Sequence, residues 1–335
     1  MFLFILKRIL LLFPTLLGIS LLVFSMLYFV PGDPVQIMLG ERANAETIAQ
    51  LRDELGLDKP FYVQLYDFYY NLASGELGRS IRTHEKVSIE IFERLPATIE
   101  LTLFSMLIAS VAGITFGILA AVYRGKYTDL ISMIISTAGI SIPIFWLALL
   151  LILLFSIYIP IFPISGRISS YTEITPITFF YTIDAVFMQN IYIFGDVIWH
   201  LVLPSFALAT IPMAFIARMV RASMIDIFHE EFIRTAWAKG LRSQVIIVKH
   251  ALRNACIPTL TIIALQFGYL LGGAVITETI FSWPGIGRWL FLSVQARDLQ
   301  AVQGGVLLVA TIFVIINTLA DILYAWLDPR IRLNR

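Results

Sequence analysis

Ionisable residues are scarce in this chain, so the place where they gather is informative. Seven of its 24 Lys and Arg fall between residues 218 and 253. Inside the stretch 226–254, the phrase Glu231-Phe-Ile-Arg-Thr-Ala-Trp-Ala-Lys-Gly240-Leu reads as a short helix that ends at a glycine. Glu231 stands in its first turn and Lys239 in its last, where the helix dipole favours each charge. Gly240 suits the left-handed position after a helix, with Leu241 behind it. Ser243 can cap a second helix, Gln244 to Asn254. Phe232, Ala236, Val245, Ile246 and Leu252 supply apolar faces, and Arg234, Lys239, Arg242, Lys249 and Arg253 supply basic ones. Such a hairpin makes and breaks no covalent bond. It is a handle that a soluble protein grips by charge and shape, and its candidate docking residues are Glu231, Arg234, Thr235, Ala236, Lys239, Gly240 and Leu241.

Other chemistries are poorly provided for. His84, His200, His229 and His250 are scattered and form no H-E-x-x-H, so no metal site is expected. Cys256 is the single cysteine, which excludes an intrachain disulfide framework or a cysteine cage. No G-x-x-x-x-G-K-[ST] loop is present to hold a nucleotide and no G-x-S-x-G to present a nucleophile, so no catalytic residue is assigned. The remaining polar candidates lie in or beside apolar runs. Glu100 opens one, Glu278 closes another, and Gln266, Asn317 and Asp321 sit within. Charges in a bilayer are costly and usually face a bundle interior or a water-filled path. Glu278, Asp321, Gln266 and Asn317 are therefore the candidates for a translocation path. Against that stand structural roles: Glu278 pairing with Arg288, and Gln266 and Asn317 making interhelical hydrogen bonds.

The elements that must position these groups follow from composition. Of 335 residues, 59% are hydrophobic and 14% charged, with mean hydropathy +0.84. A soluble domain carries about 25% charge, so the chain belongs to the membrane class. A net charge of +1 offers nothing to nucleic acid. Six runs are long enough to span a bilayer as helices: Ile9–Val30, Leu101–Tyr123, Leu130–Pro160, Val197–Ala217, Ala255–Thr277 and Gly304–Leu327. Ile9–Val30 is too long for a signal-peptide core and has no cleavage site after it. Pro143, Pro204 and Pro212 predict bent or broken helices. The stretch from Ile174 to Val197, interrupted by Asp184, reads as an external, partly interfacial loop rather than a seventh span. With the N-terminus inside, 14 of the 24 Lys and Arg fall on the inner side and seven of the rest lie in the long 31–96 loop. Both termini and the 218–253 region then face the cytoplasm.

Three parts result: residues 1–30 as N-terminus and first span, 31–96 as an extracytoplasmic helical cap, and 97–335 as a five-span core carrying the 226–254 loop. In the cap, Asn44 precedes a helix through Ile48, Leu51 and Leu55. Phe61, Leu65, Phe68 and Leu72 mark a second, and Ser88 caps a third through Leu95, ending at Pro96. Gly113, Gly117, Gly268 and Gly272 read as close-packing positions, the last two as an interface open to a second subunit. Phe281, Trp283 and Trp289 read as an interfacial aromatic belt.

The phrase Phe232-Ile-Arg-Thr-Ala-x-Ala-Lys-Gly240-Leu, followed by His250-Ala-Leu-Arg-Asn-Ala255, resembles the EAA loop of ABC-transporter permeases. The common pattern has Glu at 234 and Ala at 235; Arg234 and Thr235 depart from it as the dipeptide, oligopeptide and nickel importers do. Pro31-Gly-Asp-Pro34, Glu54-Leu-Gly-Leu-Asp-Lys-Pro60, Pro163-Ile-Ser-Gly-Arg167, Thr277-Glu-Thr-Ile-Phe-Ser-Trp-Pro-Gly-Ile-Gly-Arg288, Gln303-Gly-Gly and Asp328-Pro-Arg330 are similar to the same family. The likeness covers nearly the whole chain and is nearest to the first permease subunit of bacterial dipeptide transporters. It implies an all-α integral membrane protein of about six transmembrane helices, with the type I ABC importer permease fold and a cytoplasmic coupling-helix loop. It implies a bacterial inner-membrane location and alternating access for dipeptides or short oligopeptides. The implied partners are a second homologous permease, two ABC ATPase subunits that hold ATP and Mg, an extracytoplasmic substrate-binding protein and membrane lipid. Nickel chelates and haem are cargoes of related systems. A self-contained secondary transporter is the rival from another class.

Overall fold

Long apolar runs become helices here because a helix satisfies every backbone group within itself. The computed structural model describes residues 2–29, 35, 44–54 and 56–327, and no β-strand occurs among them. Helix α1 (Phe2–Tyr28) is followed by α2 (Ala45–Glu54), α3 (Phe61–Ala73) and α4 (Val87–Val122). Next come α5 (Tyr127–Ser141) and α6 (Ile144–Ile152), which a π-helical stretch extends over Leu153–Tyr158. Then α7 (Tyr181–Phe187), α8 (Ile191–Phe228) and the short α9 (Glu231–Ala238). A three-residue α10 (Ser243–Val245) passes through the π-helical stretch Ile246–Leu252 into α11 (Arg253–Gly273). The chain closes with α12 (Val275–Ile280), α13 (Ile286–Gln295) and α14 (Leu299–Leu327). Five of these stretches are long and apolar enough to cross a membrane, or six when the bent pair α5–α6 is counted as one broken span.

The hub is α8. Of its most apolar window 78% is buried, against 11–33% for the other four single spans. Glycines bring its neighbours close. A Cβ on Gly113 would lie 2.8 Å from the Met213 carbonyl oxygen, one on Gly117 2.6 Å from Val220 Cβ, and one on Gly139 2.8 Å from Thr210 Cβ. Lipid supplies no hydrophobic force between helices, so this close backbone packing carries much of the association. The order of these contacts makes α4 and α8 parallel and α5 antiparallel to both. Residues 123–126 and 229–242 therefore share one end of the bundle, and residues 74–86, 159–190 and 274–298 the other.

Several expectations change. The region after Ser88 is no separate helix: α4 starts at Val87 behind Lys86 and runs through Pro96. Proline deletes one bond, to the Phe92 carbonyl, and full burial of Ala97 and Leu101 holds the axis across the gap. Pro204 and Pro212 likewise lie within continuous α8, which extends well beyond 197–217 at both ends. Burial of most of α8 offsets the two lost bonds. Pro143 does break its span, between Ser141 and Ile144, with a bend of 103°. The stretch 174–190 contains only the seven-residue α7, too short to cross. Phe281, Trp283 and Trp289 form no interfacial belt; all three are buried in protein, and both indole N–H groups are used internally. Gly268 packs on Phe313, Ile316 and Asn317 of this same chain. The α2 and α3 helices stand where the apolar spacing puts them. Leu55, the segments 31–34 and 328–330, and the surroundings of Gly272 lie outside what the structure describes.

Candidate functional site

At the end of the bundle that carries residues 123–126 and 229–242, α8 stops at Phe228 and the chain turns directly into α9. The α9 helix closes with a Schellman motif. The Gly240 N–H donates to the Trp237 carbonyl at 3.0 Å and the Leu241 N–H to the Ala236 carbonyl at 3.3 Å. Gly240 has φ +72°, the left-handed conformation that suits glycine, with open space where a Cβ would be. Ile233 and Ala236 are buried in a cluster with Met224, Ile246 and Ala251. Glu231, Arg234, Thr235, Lys239, Gly240 and Leu241 are exposed. Ala236 is thus the anchor of this helix, and the other six candidates form its free surface together with Phe232 and Trp237. The second helix differs from expectation. Its cap position is Arg242, and it does not end at Asn254 but continues as the fifth span from Ser243. A push on α9 would therefore reach this membrane helix through the four residues Lys239 to Arg242.

Not every basic group of the 218–253 region belongs to that surface. Arg221 on α8 makes a two-pronged pair with Asp129 on α5, both N–O distances 2.8 Å. Asp129 also accepts from the Gly125 N–H at 3.0 Å. The pair ties the turn between α4 and α5 to the hub just before α9.

The opposite end holds a buried polar lattice that composition and motifs missed. Nε and Nη2 of Arg167 both donate to Glu100 Oε2, and the Thr182 N–H and hydroxyl donate to Glu100 Oε1 at 2.8 and 2.6 Å. The Arg167 guanidinium also covers the Tyr181 ring at 3.8 Å. Glu278 is completely buried. Its carboxylate accepts from the Thr98 hydroxyl at 2.6 Å and the Arg288 N–H at 2.8 Å, while Thr98 Oγ1 accepts from the Ile286 N–H at 2.8 Å. The Arg288 side chain turns instead to the Ser282 carbonyl, so the expected Glu278–Arg288 ion pair is replaced by a backbone bond. Trp283 Nε1 donates to the Ala97 carbonyl at 2.8 Å. Asp298 accepts from the Ser80 hydroxyl at 2.6 Å and the Ile81 N–H at 2.9 Å. Residues 80–100, 167–182 and 278–298 are stitched into one plug. The signals in the sequence were that Glu100 and Arg167 are isolated opposite charges beside apolar runs and that Glu278 closes another such run near Arg288.

Of the path candidates, Glu278 is therefore locked in the plug. Gln266 lies on α11, with a buried Oε1 that has no hydrogen-bond partner among the described residues. Asn317 lies on α14 with its Oδ1 3.5 Å from where a Cβ on Gly268 would be. No side-chain hydrogen bond joins either to another helix among the described residues. Asp321 lies on α14, and its side chain falls outside the described residues. No group of three or more His, Cys, Asp or Glu placed to hold a metal occurs among the described residues.

Residues 113–333 match the family of the binding-protein-dependent transport system inner membrane component, and residues 1–102 match its N-terminal membrane component. The di/tripeptide transport system permease protein DppB of Pseudomonas aeruginosa (strain UCBPP-PA14) is 47% identical over 333 residues, covering 99% of both chains. The dipeptide transport system permease protein DppB of Escherichia coli (strain K12) is 46% identical over 333 residues, 98% of both. The glutathione transport system permease protein GsiC of Escherichia coli O6:H1 is 39% identical over 329 residues, 98% of both. With one handle at one end of its helices, a plug at the other and this likeness along its length, the chain belongs to the binding-protein-dependent inner-membrane permease family, as a multi-pass subunit with the type I importer fold.

Proposed function

We propose that this permease subunit carries dipeptides or short oligopeptides into the cytoplasm by alternating access, driven by two ATPase subunits that engage α9. The observation that carries the coupling reading is the build of residues 229–242. A short helix is clamped to the core by Ile233 and Ala236 and presents Glu231, Arg234, Thr235, Lys239, Gly240 and Leu241 outward. It is joined at both ends to membrane helices, the hub α8 and the fifth span. Motion imposed there is passed to the bundle because packed helices shift as units and do not deform.

In this reading both termini and α9 lie in the cytoplasm, and residues 31–96 with the Glu100–Glu278 plug lie on the other side. ATP and Mg sit on the ATPases, and a second, homologous permease completes the path. A substrate-binding protein delivers the cargo at the plug end. Gln266 and Asn317 are the groups offered to the path, Glu278 holds the plug closed, and Asp321 is a further candidate on α14. The peptide cargo is supported by the relatives named for dipeptides and di/tripeptides.

Reconstituting the purified complex in liposomes tests this. Uptake of a labelled dipeptide that needs ATP, the binding protein and an intact α9 is the expected result. Uptake of haem or a nickel chelate in its place overturns the cargo. Gradient-driven uptake by this chain alone overturns the ABC reading and favours a secondary transporter.

A further inference from the structure

We infer that α3, in the connection between the first and second spans, lies in the lipid interface and anchors the subunit there through Tyr62, Tyr66 and Tyr70. Three observations place it. First, its depth is set by α1. Phe61 packs on Tyr28 and Phe24 with ring centroids 5.0 and 5.5 Å apart, and Phe68 packs on Phe24 at 5.2 Å. One residue further, the Tyr69 hydroxyl is 3.2 Å from Ser20 Oγ and donates to the Leu17 carbonyl at 3.3 Å. The apolar stretch of α1 is Ile5–Met26. Ser20 is thus six residues inside its end, or about 9 Å at 1.5 Å per residue. α3 descends beside α1 into the membrane rather than standing above it, at the depth of about 5–10 Å that interfacial helices reach.

Second, the two sides of α3 differ: Phe61, Leu65, Phe68 and Leu72 are half-buried against the protein. Its polar residues Gln64, Asp67 and Asn71 line a cavity of about 190 Å³ against Gln300 and Gln303 of the last span. The side turned away from the protein carries tyrosines at i, i+4 and i+8, exposed by 72%, 69% and 65%. Third, α1 beside it also leaves large apolar side chains exposed in the chain, among them Phe13, Leu17 and Leu22. Tyrosine is the side chain for such a boundary, since its ring tolerates acyl chains and its hydroxyl reaches headgroups and water. The occupant is therefore bilayer lipid at the headgroup–acyl boundary. The inference holds whichever way round the chain sits in the membrane, so it does not stand or fall with the transport reading.

The test is spin-label accessibility in the complete complex in liposomes. Tyr62→Cys, Tyr66→Cys and Tyr70→Cys are each made on Cys256→Ser, with Tyr171→Cys as a water-exposed reference and the signal of the Cys256→Ser complex subtracted. Labels at 66 and 70 are expected to be relaxed several-fold more by oxygen than by a soluble nickel chelate, and the label at 171 the reverse. Nickel relaxation at 66 and 70 equal to that at 171 overturns the inference. So does protection that appears only when the soluble binding protein is added, which would make this face a protein dock.

Discussion

At the scale of single residues, two glycines do different work, and their replacements separate it. Gly240 has room for a side chain but a φ of +72°. A β-branched residue there costs about 1–2 kcal/mol through backbone strain, whereas asparagine tolerates the left-handed region. Gly240→Asn is expected to keep near-normal ATP-driven uptake, and Gly240→Val to lose most of it at unchanged membrane abundance. Equal uptake by the two variants would remove the turn from the coupling argument. Gly285 is the opposite case. A methyl there overlaps the Glu278 carboxylate, which is buried and bonded to Thr98 and the Arg288 N–H. Gly285→Ala should lower stability by about 1–3 kcal/mol as an overpacked site, read as an earlier thermal transition of the purified complex. No pattern in the sequence foretold the Thr98–Glu278 bond that holds this carboxylate in place, because those residues are brought together only by the packing of α12 and α13 on α4.

Between elements, two ion pairs of similar chemistry differ in surroundings. Glu100–Arg167 has side chains 3% and 4% exposed, while Asp129–Arg221 has 10% and 30%. Removing one partner of a buried pair leaves an unpaired charge and costs about 3–5 kcal/mol. A partly exposed pair is worth about 1 kcal/mol or less. Thermal denaturation should therefore rank Arg167→Met as much more damaging than Arg221→Met. Adding Glu100→Gln to Arg167→Met should recover part of the loss. Equal destabilisation by the two arginine variants would mean that the plug is not drier than the opposite end. The helix ends also show where local rules suffice. The Schellman turn at Gly240 was legible from Lys239-Gly240-Leu241, because that bond pattern is closed within six residues. The run of α4 through Pro96 was not legible, because burial of Ala97 and Leu101 against other helices outweighs a local breaker.

For the whole molecule, the alternation of spans makes a topology prediction. Tyr127 and Tyr171 are both strongly exposed and lie at opposite ends of the bundle. With Cys256 replaced by serine, a membrane-impermeant maleimide on intact cells should label Tyr171→Cys and spare Tyr127→Cys. The reverse pattern would invert the chain and put α9 outside. The sequence by itself determined the class, the apolar spans and the glycine turn that closes α9. Hydropathy, charge bias and a glycine after a lysine are properties of neighbouring residues, and each is read without knowing what the chain touches. Only the tertiary structure decided the rest. It made α8 the hub, turned three supposed belt aromatics inward, sealed Glu278 in a plug and laid α3 against α1. Those outcomes depend on which helix faces meet across long separations in the chain, and in lipid that choice is made by close packing and buried hydrogen bonds, not by hydrophobicity.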